Sequence, residues 1–314
     1  MSRIAVLAGG HSLERQVSLK SGARVAESLR ALGHEVSSID VGADLVTRLQ
    51  EAKPEVAFVA LHGRDGEDGT VQELLEVMGI PYTGSRVSAC IRAADKVLAK
   101  HAFRDAGIPT PEFFAFNETA FKVLGAGQAL PEVEQTLGFP IVVKPASQGS
   151  ALGIKFARST SELPAALVAA FSYDRKVLLE RHIAGRDLAV SILDGPDGQA
   201  QTLPIVEAMP EQEDFYDFES RYEIGRTRFA CPAELPAAVA AKANELALAA
   251  YNVLGCGGFA RVDLMLDAQS SELFVLEVNP IPGLTETSLL PQASDAAGID
   301  FDQLIARIVA AAIS

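Results

Sequence analysis

The chain has 314 residues, enough to bury a large core and more than the usual single domain, so two or three domains are expected. Its 27 Lys and Arg against 41 Asp and Glu give a formal charge of −14, which argues against coating nucleic acid or binding an anionic membrane. Cys90, Cys231 and Cys256 are odd in number and lack CxxC or Cys/His zinc spacing. The opening MSRIAVLAGG is too short for a signal segment and no run reaches transmembrane length, so a cytoplasmic protein without disulfides is expected.

From Arg3 to about Tyr82 short apolar runs alternate with helical stretches. IAVLAGG, HEVSSIDV and EVAFVALHG read as strands, VSLKSGARVAESLRALG as a helix ending at Gly33, and TVQELLEVMGI as a second helix. Such alternation implies a parallel sheet covered on both faces, assigned to residues 1–95. DKVLAKHAFRDAGIPTP reads as a helix closed by Gly107 and Pro109, and Glu112 to Phe116 as a strand. Asn117 to Gln135 carries little pattern. FPIVVKPASQGSALGIKFA gives two strands around a Ser/Gly loop and KVLLERHI another, making a small mixed domain over 96–183. In residues 184–314, strands at LAVSIL, TLPIVEAM, GFARVDLML and LFVLEVN join helices at LPAAVAAKANELALAAYNVLG and FDQLIARIVAAAI in an α+β domain. The fold class is thus multidomain, α/β followed by α+β.

In FVLEVN, strand alternation sends Glu277 and Asn279 to one face and Leu276 and Val278 to the other, and GFARVDLML does the same for Arg261 and Asp263. For either strand alone, a solvated face with an Arg–Asp pair would serve as well. Both strands together, followed by a rigid Pro-Gly turn, point to an oxygen-ligand set for magnesium, which completes its shell with water and phosphate. Lys144 ends a strand before a loop carrying Ser147, Gly149, Ser150 and Gly153, where backbone N–H groups can approach phosphate. GxxxxGK[ST] is absent, and such a loop alone is more often a plain hairpin. Glu180 and His182 close KVLLERHI, where an adenine could lie. Glu14 sits in a loop that opens a helix and could take an ammonium group, and His62 lies in a second such loop with Glu67 and Asp68. The acidic, aromatic EQEDFYDFESRYEIGRTRF suits a lid or an exposed insertion.

Taken in order, GGHSLERQVSL, ALHGRDGEDGTVQ, PYTGS, DK, VVKPASQGSALG, FYDFESRY, FARVDLML and LEVNPIPGLTETSLLPQ closely resemble the D-alanine–D-alanine ligases of the ATP-grasp superfamily. The resemblance spans nearly the whole chain. It implies a Rossmann-like N-terminal domain, a two-part ATP-grasp fold, and a homodimer. It also implies a reaction in which ATP phosphorylates one D-alanine and the amine of a second attacks the acylphosphate, for peptidoglycan precursors.

By the same resemblance Asp263, Glu277 and Asn279 hold two magnesium ions, for which manganese can substitute. Lys96, Lys144, Ser150, Ala151, Gly153, Glu180, His182, Ile183, Asp187 and Phe215 bind the nucleotide. Arg261 and the N–H of Gly283 stabilise the oxyanion. Glu14 takes the first ammonium, His62 lies near the first carboxylate, and Ser288 and Leu289 receive the second substrate. Glu14, Ser150 and Tyr222 form a hydrogen-bonded triad with the lid.

Several positions depart from the family pattern. Asp187 replaces a common ribose-binding Glu, Arg181 and His182 stand where Lys and an aromatic are frequent, and Phe218 and Arg221 replace Tyr and Lys in the lid. Pro280 and Ile281 alter the turn after Asn279. Rival readings are a related ligase with another amino-acid or hydroxy-acid acceptor, and a non-catalytic nucleotide-binding module. A protein kinase is set aside: GRDLAVSILDGPDG offers Asp187 and Asp194, but Ile192 stands where the catalytic loop needs Asn.

Overall fold

The computed structural model describes residues 1–195, 197–210 and 227–313. Its first unit is a three-stranded parallel sheet of β1 (Arg3–Ala8), β2 (Glu35–Asp40) and β3 (Val56–Val59), ordered β2-β1-β3. Ile4 pairs with both Val36 and Val56. Both β1 and β3 are buried almost throughout, as the apolar runs of a parallel sheet require. Helix α1 (Arg15–Ala31) buries Val25, Ala26 and Leu29 against this sheet, and α2 (Leu45–Ala52) and α3 (Thr70–Val77) complete the alternation. The same core takes in Leu304, Ile305, Ile308 and Val309 from the C-terminal helix, so the two ends of the chain close on each other.

After α4 (Val87–Ala94) and α5 (Lys96–Asp105), an antiparallel four-stranded sheet runs β4-β7-β5-β6. It comprises β4 (Phe113–Asn117), β5 (Ile141–Pro145), β6 (Lys155–Ala157) and β7 (Lys176–Arg181), with helices α6 (Glu118–Lys122), α7 (Leu130–Leu137) and α8 (Leu163–Phe171). Val133, Leu137, Leu163 and Leu167 bury its apolar face, leaving the opposite face to Lys144 and Glu180.

The third sheet is antiparallel, ordered β11-β10-β8-β12-β13, with β9 paired to β8. Its strands are β8 (Gly185–Asp194), β9 (Ala200–Thr202), β10 (Val206–Pro210), β11 (Thr227–Ala230), β12 (Phe259–Asp267) and β13 (Leu273–Asn279). Val262, Leu264 and Leu266 on β12, with Leu188, Val190 and Ile192 on β8, are buried in one cluster with Ala243, Leu246, Ala247 and Ala250 of α9 (Ala237–Leu254). Alternation therefore turns Arg261, Asp263 and Met265 to the other face. Helices α10 (Leu289–Ala296) and α11 (Phe301–Ile313) end the chain.

The expected α/β and α+β fold class is borne out, with four differences of detail. EVAFVALHG keeps strand pairing only to Val59, although Ala60 and Leu61 stay buried. TLPIVEAM is two strands, broken at Leu203 to Ile205. The featureless stretch from Asn117 holds α6, capped by the Asn117 side chain on Thr119 N–H, and the start of α7. Helices α2, α4, α8 and α10 are each nine residues or fewer and carried no separate expectation, their patterns being too short to stand out.

Candidate active site

Two cavities lie side by side between the sheets. The larger, about 300 Å³, is roofed by Val142, Lys144 and Phe156 of the four-stranded sheet and floored by Asp187, Ala189, Asp263 and Met265 of the antiparallel one. The smaller, about 80 Å³, is lined by Glu14, His62, Arg64, Glu67, Ser150, Arg261, Asn279 and Gly283. Lys96, Gln148 and Glu277 line both, so the shared wall is a Lys–Glu pair.

The register of β12 and β13 sets Arg261 opposite Asn279 and Asp263 opposite Glu277, as alternation requires. A β-bulge then shifts the pairing, so Leu264 faces Val275 and Leu276 is left over. Leu276 consequently lines the larger cavity beside Glu277, which corrects the expectation that it faces away. Arg261 grips Asp263 with Nε and Nη2 at 2.6 and 2.8 Å. Asn279 Oδ1 accepts from the Ile281 N–H at 3.0 Å, which fixes the start of the Pro-Gly turn.

At the shared wall Lys96 Nζ stands 3.0 Å from Glu277 Oε2 and donates to the Gln148 carbonyl at 2.8 Å. Burial works to discharge this ammonium, but Glu277, aided by Glu67 and Glu14, holds it above its usual pKa. Asp95, immediately before it, caps α5 by accepting from Val97 and Leu98 N–H groups. In the larger cavity Lys144 Nζ donates to Glu180 Oε1 at 2.7 Å. The two share a face because Val142 pairs with Glu180 one step along the ladder. His182 sets its ring edge-on to Phe156 at 5.4 Å, and Ile183 and Asp187 lie on the same wall.

The loop after β5 turns through left-handed backbone at Ser150 (φ 51°), Ala151 (φ 59°) and Gly153 (φ 77°). At Gly153 a Cβ would come within 2.6 Å of Tyr173 and 2.8 Å of Pro145, so only glycine fits. Ala151 reaches the larger cavity, whereas Ser150 reaches the smaller one and donates to Glu14. Glu14 is buried against Gly63 and Gly149. Its carboxyl is pushed up by burial and by Glu67, with Ser150, His62 and Lys96 opposing.

His62 is 3 % exposed, and both of its ring nitrogens have partners. Its Nδ1 lies 3.1 Å from the Ile281 carbonyl, which must accept, and Nε2 lies 3.0 Å from Ser21 Oγ. The Leu284 N–H donates to the same Ser21 Oγ at 3.2 Å. Ser21 and His62 thus tie the turn around Gly283 to α1. Ser288 lines neither cavity and bonds Thr285, yet a Cβ on Gly283 would lie 2.6 Å from its Oγ. Leu289, expected at the second substrate, lines the larger cavity instead. Phe215, Phe218, Arg221 and Tyr222 lie outside the described residues, and with them the expected lid triad's third member.

Sequence reasoning missed the apolar walls of the larger cavity, Ile154, Phe156, Met265 and Leu276, which carry no motif. It also missed Lys100, 1 % exposed, whose Nζ meets Glu180 Oε2 at 2.5 Å. No helix among the described residues is long and apolar enough to cross a membrane. Asp263 and Glu277 offer carboxylate oxygens from facing positions and Asn279, two residues on and opposite Arg261, a carboxamide oxygen, a set that fits a hard cation leaving room for phosphate and water. Among the described residues no group of three or more His, Cys, Asp or Glu gathers as a metal site, consistent with a set of only two carboxylates and a carboxamide.

Residues 102–310 match the family described as D-ala D-ala ligase C-terminus, and residues 43–85 match D-ala D-ala ligase N-terminus. A D-alanine–D-alanine ligase of Moorella thermoacetica is 43 % identical over 307 residues, 98 % of each chain. The crystal structure of D-alanine–D-alanine ligase from Bacillus anthracis superposes with a TM-score of 0.86 at 35 % identity, covering 100 % of this chain and 98 % of that one. Its complex with ATP superposes at 0.83 and 34 % identity, with the same coverage. The protein belongs to the D-alanine–D-alanine ligase family.

Proposed function

We propose that the protein joins two D-alanines at the expense of ATP, in the cytoplasm and as a homodimer, releasing D-alanyl-D-alanine, ADP and phosphate. The observation that carries this reading is the shared wall. A nucleotide in the larger cavity and a small zwitterion in the smaller one would meet at Lys96 and Glu277.

Lys144 and Lys96 supply charge for phosphates, with the left-handed backbone at Ser150 and Ala151 beside them. His182, Ile183 and Phe156 offer the base a slot, and Asp187 on the same wall would meet the ribose. Asp263, Glu277 and Asn279 would hold magnesium, or manganese in its place, whose role is to neutralise charge on the transferring phosphoryl group. Glu14, at the wall of the smaller cavity, would hold the first D-alanine's ammonium, leaving its carboxylate to face the shared wall. That carboxylate takes the terminal phosphoryl group and ADP departs. The second amine, having lost a proton, attacks the acylphosphate carbonyl and phosphate leaves. Arg261 and the Gly283 N–H border the same small cavity and would meet the oxyanion that forms in this step.

The test is ADP release with ATP, magnesium and D-alanine, screened against other D- and L-amino acids and D-lactate, with product mass measured. A dipeptide of two alanines is expected. Turnover with another acceptor and none with D-alanine would replace the substrate. ATP binding without any turnover would reduce the protein to a nucleotide-binding module.

A further inference from the structure

Lys100 lies in α5, one turn beyond Lys96, and lines neither cavity. Its ammonium touches Glu180 Oε2 at 2.5 Å while Lys144 holds Oε1 at 2.7 Å, so one buried carboxylate is shared by two lysines. Lys100 Nζ also donates to Thr110 Oγ1 at 2.5 Å, and Thr110 donates onward to the Val275 carbonyl at 2.7 Å. Val275 is the residue at the β-bulge, directly before Leu276 and Glu277. We propose that Lys100 is a positioning residue for the nucleotide. It takes up half of the Glu180 carboxylate so that Lys144 keeps its charge for an anionic ligand, and it anchors this unit to the strand bearing Glu277. The inference rests on the larger cavity being the ATP site.

Charge balance carries the case. Two ammonium groups against one carboxylate leave one net positive charge beneath the cavity, in a chain whose formal charge is −14. Without Lys100 the remaining Lys144–Glu180 pair is neutral, and its ammonium is committed to the carboxylate. Such a buried cation is costly to keep, and burial lowers Lys100 to about 8, with Glu180 opposing and Lys144 adding to the fall. Two acceptors at 2.5 Å, Glu180 Oε2 and Thr110 Oγ1, favour the charged ammonium against that burial. Glu277 adds to its retention, while Phe113 places a ring face 5.5 Å from Nζ.

The test is calorimetric titration of the full chain with ATP and magnesium, alongside steady-state kinetics. Lys100→Met, close in volume, should weaken ATP binding by about tenfold or more while the KM for D-alanine stays within about twofold. Glu180 itself borders the nucleotide cavity, so Glu180→Gln alone is the reference: in that background Lys100→Met should cost little further, because Lys144 then faces a neutral carboxamide. A role confined to packing would make Lys100→Met cost as much there as in the parent. The proposal is overturned if Lys100→Met binds ATP as the parent does, or if its cost is the same in both backgrounds. Should Lys100→Met not fold, Lys100→Gln, which keeps a donor for Thr110, is read by the same criteria. Failure of the parent to bind ATP would instead remove the nucleotide reading, a result visible before any variant is made.

Discussion

Lys96 Nζ and Glu277 Oε2 stand 3.0 Å apart, and these two side chains divide the larger cavity from the smaller one. One comes from the first turn of α5 and the other from the end of β13, so the pair also joins α5 to the third sheet. Each side chain is partly exposed, at 12 % and 24 %, and a ligand in either cavity can reach them.

Replacing Lys96 by Met should therefore affect chemistry more than folding. With the ammonium gone, Glu277 repels the phosphates it is meant to help seat, and kcat/KM for ATP should fall by about 10²-fold. Because Glu277 keeps 24 % of its side-chain surface exposed and can be hydrated once the ammonium is gone, the loss in stability should stay below about 2 kcal/mol. Steady-state kinetics and urea unfolding measure the two effects separately. Equal loss in both would make the pair a structural clamp.

Glu14 yields a pH prediction. Burial and the neighbouring Glu67 make it take up its proton at a higher pH than an ordinary carboxylate. An ammonium is held only by the ionised form, so acidification through that raised pKa removes the counter-charge. The KM for the first D-alanine should rise as pH falls, beginning above the usual carboxylate range, while the KM for ATP stays flat. In Glu14→Gln the KM should be high throughout and the inflection absent. An unchanged inflection in that variant would assign it to another group.

Gly185 opens β8, next to the wall where His182 and Ile183 line the larger cavity. A Cβ there would lie 1.9 Å from the Leu266 carbonyl oxygen, a backbone atom that cannot swing aside. Gly185→Ala must push β8 off β12, at a cost of about 3 kcal/mol. Gly127 is the matched control, since nothing lies within 4 Å of its added Cβ. Gly127→Ala should be neutral or stabilise by about 0.5 kcal/mol through the unfolded chain. Chemical denaturation of both variants checks the contrast.

What the sequence makes legible follows from how local each cause is. Strand alternation alone places Arg261, Asp263, Glu277 and Asn279 on one face, and the ladder sets them in facing pairs. The bulge that brings Leu276 round to join Glu277 depends on how β13 meets β12, and nothing in LFVLEVN announces it. Lys144 is conspicuous before a Ser/Gly loop, whereas Lys100 sits inside an ordinary amphipathic helix and acquires meaning only when β7 brings Glu180 against it. His62 stands out in the sequence beside Glu67 and Asp68, but its bonding does not, because Ser21 and Ile281 reach it from opposite ends of the chain.

Arg261 combines two roles that one substitution can separate. Its fork holds Asp263 through two bonds, at 2.6 and 2.8 Å, while the side chain also borders the small cavity where the oxyanion would form. Lysine keeps the charge but is a point donor and cannot reproduce the fork. If Arg261 acts chiefly on the oxyanion, Arg261→Lys lowers kcat by about 10²-fold and leaves the KM for ATP nearly unchanged. If it acts chiefly by orienting Asp263 as a cation ligand, ATP binding weakens as well, and the loss shrinks as magnesium is raised. The first outcome is expected. Asp263 faces Glu277 across the ladder and its position is set by the β12 backbone, so the carboxylate should remain in place when the fork is lost. A magnesium titration of the variant, followed by ADP release, distinguishes the two.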